Sequence, residues 1–215
     1  MDTLPYEFCD SVVSTIDDLC YLRKQVVELS DHGFRIWRAV INDHNMNRRK
    51  FKIDFGYNVH PLIFSSESPS ESLSLEDLRK VQKKDLRIQK ITWTGQQLAE
   101  SDFDTLQYVN QVGNCAVLDI NSESSTSEDK EKFAEFIKDT SFFCISLYHP
   151  YEVLLRSQTH SKVLKRLVLQ GTGWSNKVQP VIEEILLTNP IEYADICWSF
   201  VFGKEFLEKL FDVPC

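Results

Sequence analysis

The feature that most constrains the fold is a short pattern that recurs five times after residue 90: two apolar residues separated by one position. Successive copies begin 22 to 29 residues apart. Alternation of this kind predicts short β-strands with one buried face. Amphipathic stretches between and after these strands, among them 128–137 and 204–211, predict helices. The pattern therefore predicts a cadence of strand, loop and helix. The pairs are Ile91 and Trp93, Leu118 and Ile120, Ile145 and Leu147, Leu167 and Leu169, and Ile196 and Trp198.

The spacing is close to that of leucine-rich repeats, ~20–29 residues. One strand and one helix cannot bury both of their apolar faces alone, so the pattern favours stacked neighbours with parallel strands. The asparagine common in such repeats is missing at matched positions, so any repeats are degenerate. We expect an α/β fold with degenerate leucine-rich-repeat-like strand-helix repeats. A compact α/β domain with ordinary element lengths is the alternative.

Three regions of the chain differ in composition and in the spacing of their apolar residues. Residues 1–46 look helical, with one apolar stripe at three- and four-residue spacing. Residues 47–85 combine a strand-like alternation at 51–57 with a serine-rich polar loop at 65–72. Residues 86–215 carry the strand-helix pattern. We therefore expect a short N-terminal helical domain, a connecting strand and polar loop, and a repeat domain.

Charge and composition exclude several classes of partner. The net charge is -8, with 32 acidic against 24 basic residues, so the field repels phosphate backbones and we expect no nucleic acid. No apolar run approaches the ~20 residues of a membrane span, so we expect no membrane contact. The start, Met1 to Pro5, lacks the features of a signal peptide. The six cysteines contain no C-x-x-C pair, which indicates a reducing, cytoplasmic or nuclear location.

Motifs for chemistry are weak. The sequence has no nucleophile elbow and no P-loop, and Gly171-Thr172-Gly173 fits a strand-to-helix turn better than a phosphate site. The five histidines are scattered without metal-ligand spacing. We therefore expect no catalytic residues, no metal and no cofactor. An enzyme on a compact α/β fold remains an alternative, because four polar residues directly follow strand-like runs. These are Asn121, His149, Gln170 and Ser199.

The N-terminal forty residues resemble an F-box. The resemblance rests on Leu4-Pro5, Glu7-Phe8, Ser11-Val12-Val13-Ser14, Ile16, Asp18-Leu19, Leu22 and Trp37. It departs from the usual pattern between residues 24 and 34, where the segment is longer, and at Cys9, where a larger aliphatic residue is common. An N-terminal F-box followed by degenerate strand-helix repeats is similar to the large nematode families of F-box proteins with F-box-associated (FTH-like or leucine-rich-repeat-like) domains.

This resemblance implies a substrate receptor of an SCF-type ubiquitin ligase. The N-terminal helices would dock a Skp1-like adaptor and through it a cullin, while the repeats capture a target protein. A non-ligase scaffold or stoichiometric inhibitor of one protein, with the N-terminal helices capping the first repeat, is the alternative. The expected adaptor-binding residues are Leu4, Pro5, Val12, Val13, Ile16, Leu19 and Leu22.

The expected target-binding surface consists of the neighbours of the apolar pairs, which alternation places on the opposite face of the strands. Tyr148 is the expected anchor, because tyrosine combines a large area with a hydroxyl group and few rotors. The alternative is that this face packs against the N-terminal helices or against the strand at 51–57. The predicted target-binding residues are Thr92, Thr94, Ser146, Tyr148, Gln170 and Ser199, with Asp119, Val168 and Cys197 on the same face.

Overall fold

The computed structural model divides into two compact units, Met1–Arg49 with Arg79–Arg87, and Lys50–Leu78 with Ile88–Cys215. The structure describes residues 6–14, 35–56, 61–65, 71–82, 85–94, 98–112, 114–121, 126–197 and 200–211.

The fold is mixed α/β, as the sequence predicts. Within the described ranges the chain forms eight helices and eight strands. The helices are α1 (Tyr6–Ser14), α2 (Arg35–Asn47), α3 (Leu75–Arg79), α4 (Glu100–Val112), α5 (Ser127–Ile137), α6 (Glu152–Ser157), α7 (Gln179–Thr188) and α8 (Lys204–Phe211). The strands are β1 (Arg49–Phe55), β2 (Leu62–Ser65), β3 (Ser72–Leu73), β4 (Leu86–Trp93), β5 (Asn114–Ile120), β6 (Ser141–Leu147), β7 (Arg166–Leu169) and β8 (Tyr193–Ile196).

All eight strands belong to one sheet, in the order β3-β2-β1-β4-β5-β6-β7-β8. The three strands at one end form an antiparallel meander, because β2 pairs antiparallel with both β1 and β3. From β4 to β8 every pair is parallel. The region expected to hold one connecting strand therefore contributes three strands and a short helix.

The five parallel strands follow one another in chain order, and a helix from α4 to α7 connects each to the next. Right-handed crossovers in this order carry successive helices to the same side of a sheet. Consecutive helices from α4 to α8 do contact one another. The ring of Phe133 on α5 stacks on Trp93 of β4 at 4.5 Å between ring centroids, which identifies the covered side.

The covered side of the sheet is built from the predicted apolar pairs. In the register of the parallel strands they form two rows, and every member is fully buried up to β7. The first row is Ile91, Leu118, Ile145 and Leu167, and the second is Trp93, Ile120, Leu147 and Leu169.

The fifth predicted pair is wrong by one row. Ile196 lies beside Leu169, and Ala194 lies beside Leu167, so the last pair is Ala194 and Ile196. A shift of two residues preserves the alternation, so the pattern alone does not reveal the error. Ala194 is exposed on the edge strand and carries no hydrophobic signal of its own. Trp198 lies outside the described residues.

In the N-terminal unit, α1 packs against α2. Cys9 of α1 and Val40 and Ile41 of α2 are fully buried. His44 of α2 is also buried, and its Nε2 lies 2.8 Å from Oδ1 of Asp10 on α1. The two helices are therefore joined by apolar packing and by polar contacts, among them a hydrogen bond that Tyr6 of α1 donates to Asp43 of α2.

Candidate protein-interaction surfaces

The crossover helices occupy one side of the parallel strands, and the residues that alternate with the buried pairs occupy the other side. Strand register and backbone hydrogen bonds past the strand ends align them in three rows, which we call the open face. The lower row is Lys90, Val117, Cys144, Arg166 and Tyr193. The middle row is Thr92, Asp119, Ser146, Val168 and Asp195. The upper row is Thr94, Asn121, Tyr148, Gln170 and Cys197.

Apart from Val117 and Val168, the open face consists mainly of polar residues. Its side chains are half-buried to exposed, whereas those of the covered side are buried up to β7. Below its lower row, Ile88, Cys115 and Phe142 are buried. The polar character therefore begins partway along the strands and continues to their carboxyl ends.

Charged groups on the open face make specific contacts. Lys90 Nζ lies 2.6 Å from Oδ2 of Asp119 on the next strand. Gln170 Nε2 donates to Oδ2 of Asp195 at 3.0 Å. These contacts cross from one strand to the next, so they also help to fix the strand register.

The thiol of Cys144 lies in the middle of the lower row. Burial raises its pKa, Asp119 adds to the rise, and Arg166 and Lys90 oppose it. A raised pKa keeps the thiol protonated, whereas a nucleophilic cysteine requires the thiolate. Cys144 therefore contributes packing and a weak hydrogen-bond donor to the open face.

The structure brings most of the predicted target-binding residues together. Thr92 and Ser146 lie in the middle row, two strands apart, and Thr94, Tyr148 and Gln170 lie in the upper row. All five are half-buried. The sixth, Ser199, lies outside the described residues.

The open face also contains residues that the sequence prediction missed. The prediction does not include the lower row, because it covers only the residues within and just after each apolar pair. The lower row lies two residues before the residue that separates the members of each apolar pair. Strand alternation extended to that position predicts Lys90, Cys144 and Arg166. The prediction left out Asp195 for another reason, since it placed the fifth pair one row too late.

The predicted adaptor-binding residues are described only in part. Val12 lies on α1 and is half-buried, and Val13 lies on the same helix. Two aromatic residues of α1 are exposed, Tyr6 at 43% and Phe8 at 49%. The remaining predicted positions lie outside the described residues: Leu4, Pro5, Ile16, Leu19 and Leu22.

A groove of about 400 Å³ lies where α5 and α6 begin. Its charged lining includes Lys130 and Glu131 on α5, and Glu152 and Arg156 on α6. The last two form an ion pair at 2.7 Å. Of the strand-end residues of the enzyme alternative, the three with a described structure do not line this groove: Asn121, His149 and Gln170. Among residues with a described structure, no three His, Cys, Asp or Glu side chains gather where they could hold a metal ion.

No family model, no curated protein and no solved structure matches this chain. Across the described helices, none is both long enough and apolar enough to cross a membrane.

Proposed function

We propose that this chain is a protein-interaction module that acts as the substrate receptor of an SCF-type ubiquitin ligase. The open face captures the target protein, and the N-terminal helices dock a Skp1-like adaptor, which connects the complex to a cullin. The open face is the observation that carries the proposal. A leucine-rich-repeat-like stacking of strand-helix units accounts for it, because such stacking keeps helices on one side of a parallel sheet.

Composition of the open face supports the capture of a protein. It combines the aromatic residues Tyr148 and Tyr193 with Arg166, and tyrosine and arginine are enriched among residues that dominate binding energies. Hydroxyl and amide groups surround them and supply donors and acceptors. The acidic net charge of -8 disfavours nucleic acid as an alternative target.

Two observations support the adaptor role of the N-terminal unit. The sequence resembles an F-box over its first forty residues, and α1 exposes Tyr6 and Phe8. Exposed aromatic side chains on a short helix fit a partner that receives an amphipathic helix in a groove.

The adaptor role is tested by co-purification with a Skp1-like adaptor. We expect the double variant Leu4→Ala and Pro5→Ala to lose the adaptor, because each buried anchor at an interface contributes ~2 kcal/mol or more. The matched control is Val163→Ala with Val201→Ala, which truncates two apolar side chains that are 42% and 83% exposed elsewhere in the chain. Wild-type recovery of the adaptor by the Leu4 and Pro5 variant would contradict the F-box assignment.

Tyr148→Ala serves as the reciprocal control. It should weaken target capture by ~2 kcal/mol and leave adaptor binding unchanged. Simultaneous loss of both activities would mean that Tyr148 supports the fold rather than the binding surface.

A non-ligase scaffold or inhibitor is the second candidate, and the burial of α1 favours it. Cys9 is fully buried and Val12 is half-buried, so part of the apolar surface of α1 is used within the chain itself. The two candidates differ in the partners that co-purify and in whether the target is ubiquitinated. A receptor recovers both adaptor and cullin and supports ubiquitin transfer to its target in a reconstituted ligase, whereas a scaffold binds the target alone.

A further inference from the structure

Arg166 and Tyr193 form an exposed pair in the lower row of the open face. They are register partners on the neighbouring strands β7 and β8. The guanidinium of Arg166 lies 5.0 Å from the centroid of the Tyr193 ring, and Tyr193 is 48% exposed. Stacking on an aromatic ring restricts the arginine side chain, so less freedom is lost when the guanidinium binds a ligand.

Lys90, the other cation in these rows, has a carboxylate partner in an ion pair, whereas Arg166 does not among the described residues. Lys90 is paired with Asp119 at 2.6 Å. Asp195, which neighbours Arg166 diagonally, is bound instead by the amide of Gln170. Over the described part of the chain, no carboxylate forms an ion pair with Arg166. Its charge therefore remains available to a partner.

The chemistry of this pair selects the kind of group that it binds. A guanidinium presents its N–H donors in a planar fork that matches a carboxylate with two parallel hydrogen bonds. Asp119 and Asp195 in the adjacent row repel a ligand that carries several negative charges, as does the net charge of -8. A single carboxylate therefore fits better than a polyphosphate chain.

We propose that Arg166, held against Tyr193, receives an aspartate or glutamate side chain of the target protein. The inference rests on the proposed capture of a target by the open face and is independent of the adaptor. It defines the target as a protein with an isolated acidic residue at its contact site.

The inference is tested with displayed random peptides of about twelve residues, a length that spans several strands. They are selected on the purified full chain and measured as synthetic peptides. We expect the selected peptides to share an Asp or Glu, and its replacement by Asn or Gln to weaken binding about tenfold or more. Arg166→Gln should cause a similar loss. Arg166→Lys, which keeps the charge but not the fork, should also weaken binding measurably.

The matched control is Arg156→Gln, which removes the same charge from the helical side. Arg156 is exposed and paired with Glu152, so peptide affinity should stay within about twofold. Peptides that bind Arg166→Gln as tightly as the wild-type chain would overturn the inference, as would failure to select any Arg166-dependent peptide. If Tyr148→Ala weakens peptide binding and Arg166→Gln does not, the carboxylate site is wrong, but peptide capture by the open face is still supported. If neither Arg166→Gln nor Tyr148→Ala changes peptide affinity, the proposed capture of a target by the open face is wrong as well.

Discussion

At the scale of single residues, Gly171 connects the fold to the open face. Its φ of 78° lies in the left-handed region, and a Cβ built there overlaps the carbonyl oxygen of Tyr148. Tyr148 is the predicted anchor for a target, and it follows β6 directly. The loop after β7 therefore approaches the backbone of the loop after β6 at a position that only glycine can occupy.

We expect Gly171→Ala to lower the free energy of unfolding by about 2 kcal/mol or more, because it adds both backbone strain and a steric overlap. Urea denaturation measures this change. Gly203→Ala is the matched control, since a Cβ there meets no atom within 4 Å. It should cost less than about 1 kcal/mol. Equal stability of the two variants would show that the close approach of the two loops does not exist.

Asp54 on β1 gives a residue-scale prediction about pH. Burial raises the pKa of Asp54, and Lys90 opposes the rise. The folded chain therefore holds this proton more readily than the unfolded chain. Protonation of Asp54 therefore stabilises the folded chain. This stabilisation is fully present below the ordinary pKa of aspartate and is lost as the pH rises through the raised pKa of Asp54.

Asp54→Asn removes the ionisable group, so it should raise the urea midpoint at neutral pH, and the gain should shrink on acidification. Asp139→Asn at an exposed position provides the baseline for a lost carboxylate. A stabilisation that does not change between neutral and acidic pH would contradict the origin assigned to it.

At the scale of elements, α1 and α2 show how a short helical pair is held. A nine-residue helix such as α1 is marginal alone and depends on tertiary packing. Cys9 supplies part of that packing, and the contact between His44 and Asp10 adds a directional bond. Because the side chain of His44 is only 2% exposed, its ring nitrogen loses solvent as an alternative partner.

Asp10→Ala should loosen this pair by about 1 kcal/mol or more, since it leaves a buried nitrogen of His44 without its partner. Hydrogen exchange of the amides of α1 and α2 should then accelerate roughly tenfold, while that of β5 and β6 stays unchanged. Asn42→Ala, at an exposed position on α2, is the control. Unchanged exchange in the Asp10 variant would mean that the contact between Asp10 and His44 does not help to hold the helices together.

Helices and strands were predictable from sequence to different degrees. The expected helix at 204–211 matches α8, and the one at 128–137 matches α5 apart from its first residue. α5 has a strong local signal, because Thr126 and Asp129 exchange hydrogen bonds where the helix begins. β2 and β3 were missed. They span four and two residues, too short to show alternation, and their pairing with β1 and with each other defines them.

At the scale of the whole molecule, the strand order explains why one sheet can both hold a core and offer a surface. Parallel strands joined by helices on alternate sides are buried on both faces and read as continuous apolar runs. Here the strands alternate, as in Leu118, Asp119 and Ile120, because the crossover helices from α4 to α7 stay on one side. The alternation in sequence and the open face in space are therefore two consequences of the same topology.

The sequence by itself determined the α/β class, the spacing of the strands and the identity of the buried rows up to β7. These follow from local periodicity, since two apolar residues separated by one position lie on the same face only in a strand. Tertiary structure decided the register of β8, where Ile196 pairs one row higher than expected. It also decided that Arg166 stacks on Tyr193, a contact between residues 27 positions apart in the chain. Periodicity fixes which face of a strand is apolar, but only hydrogen bonding between strands fixes which side chains meet across them.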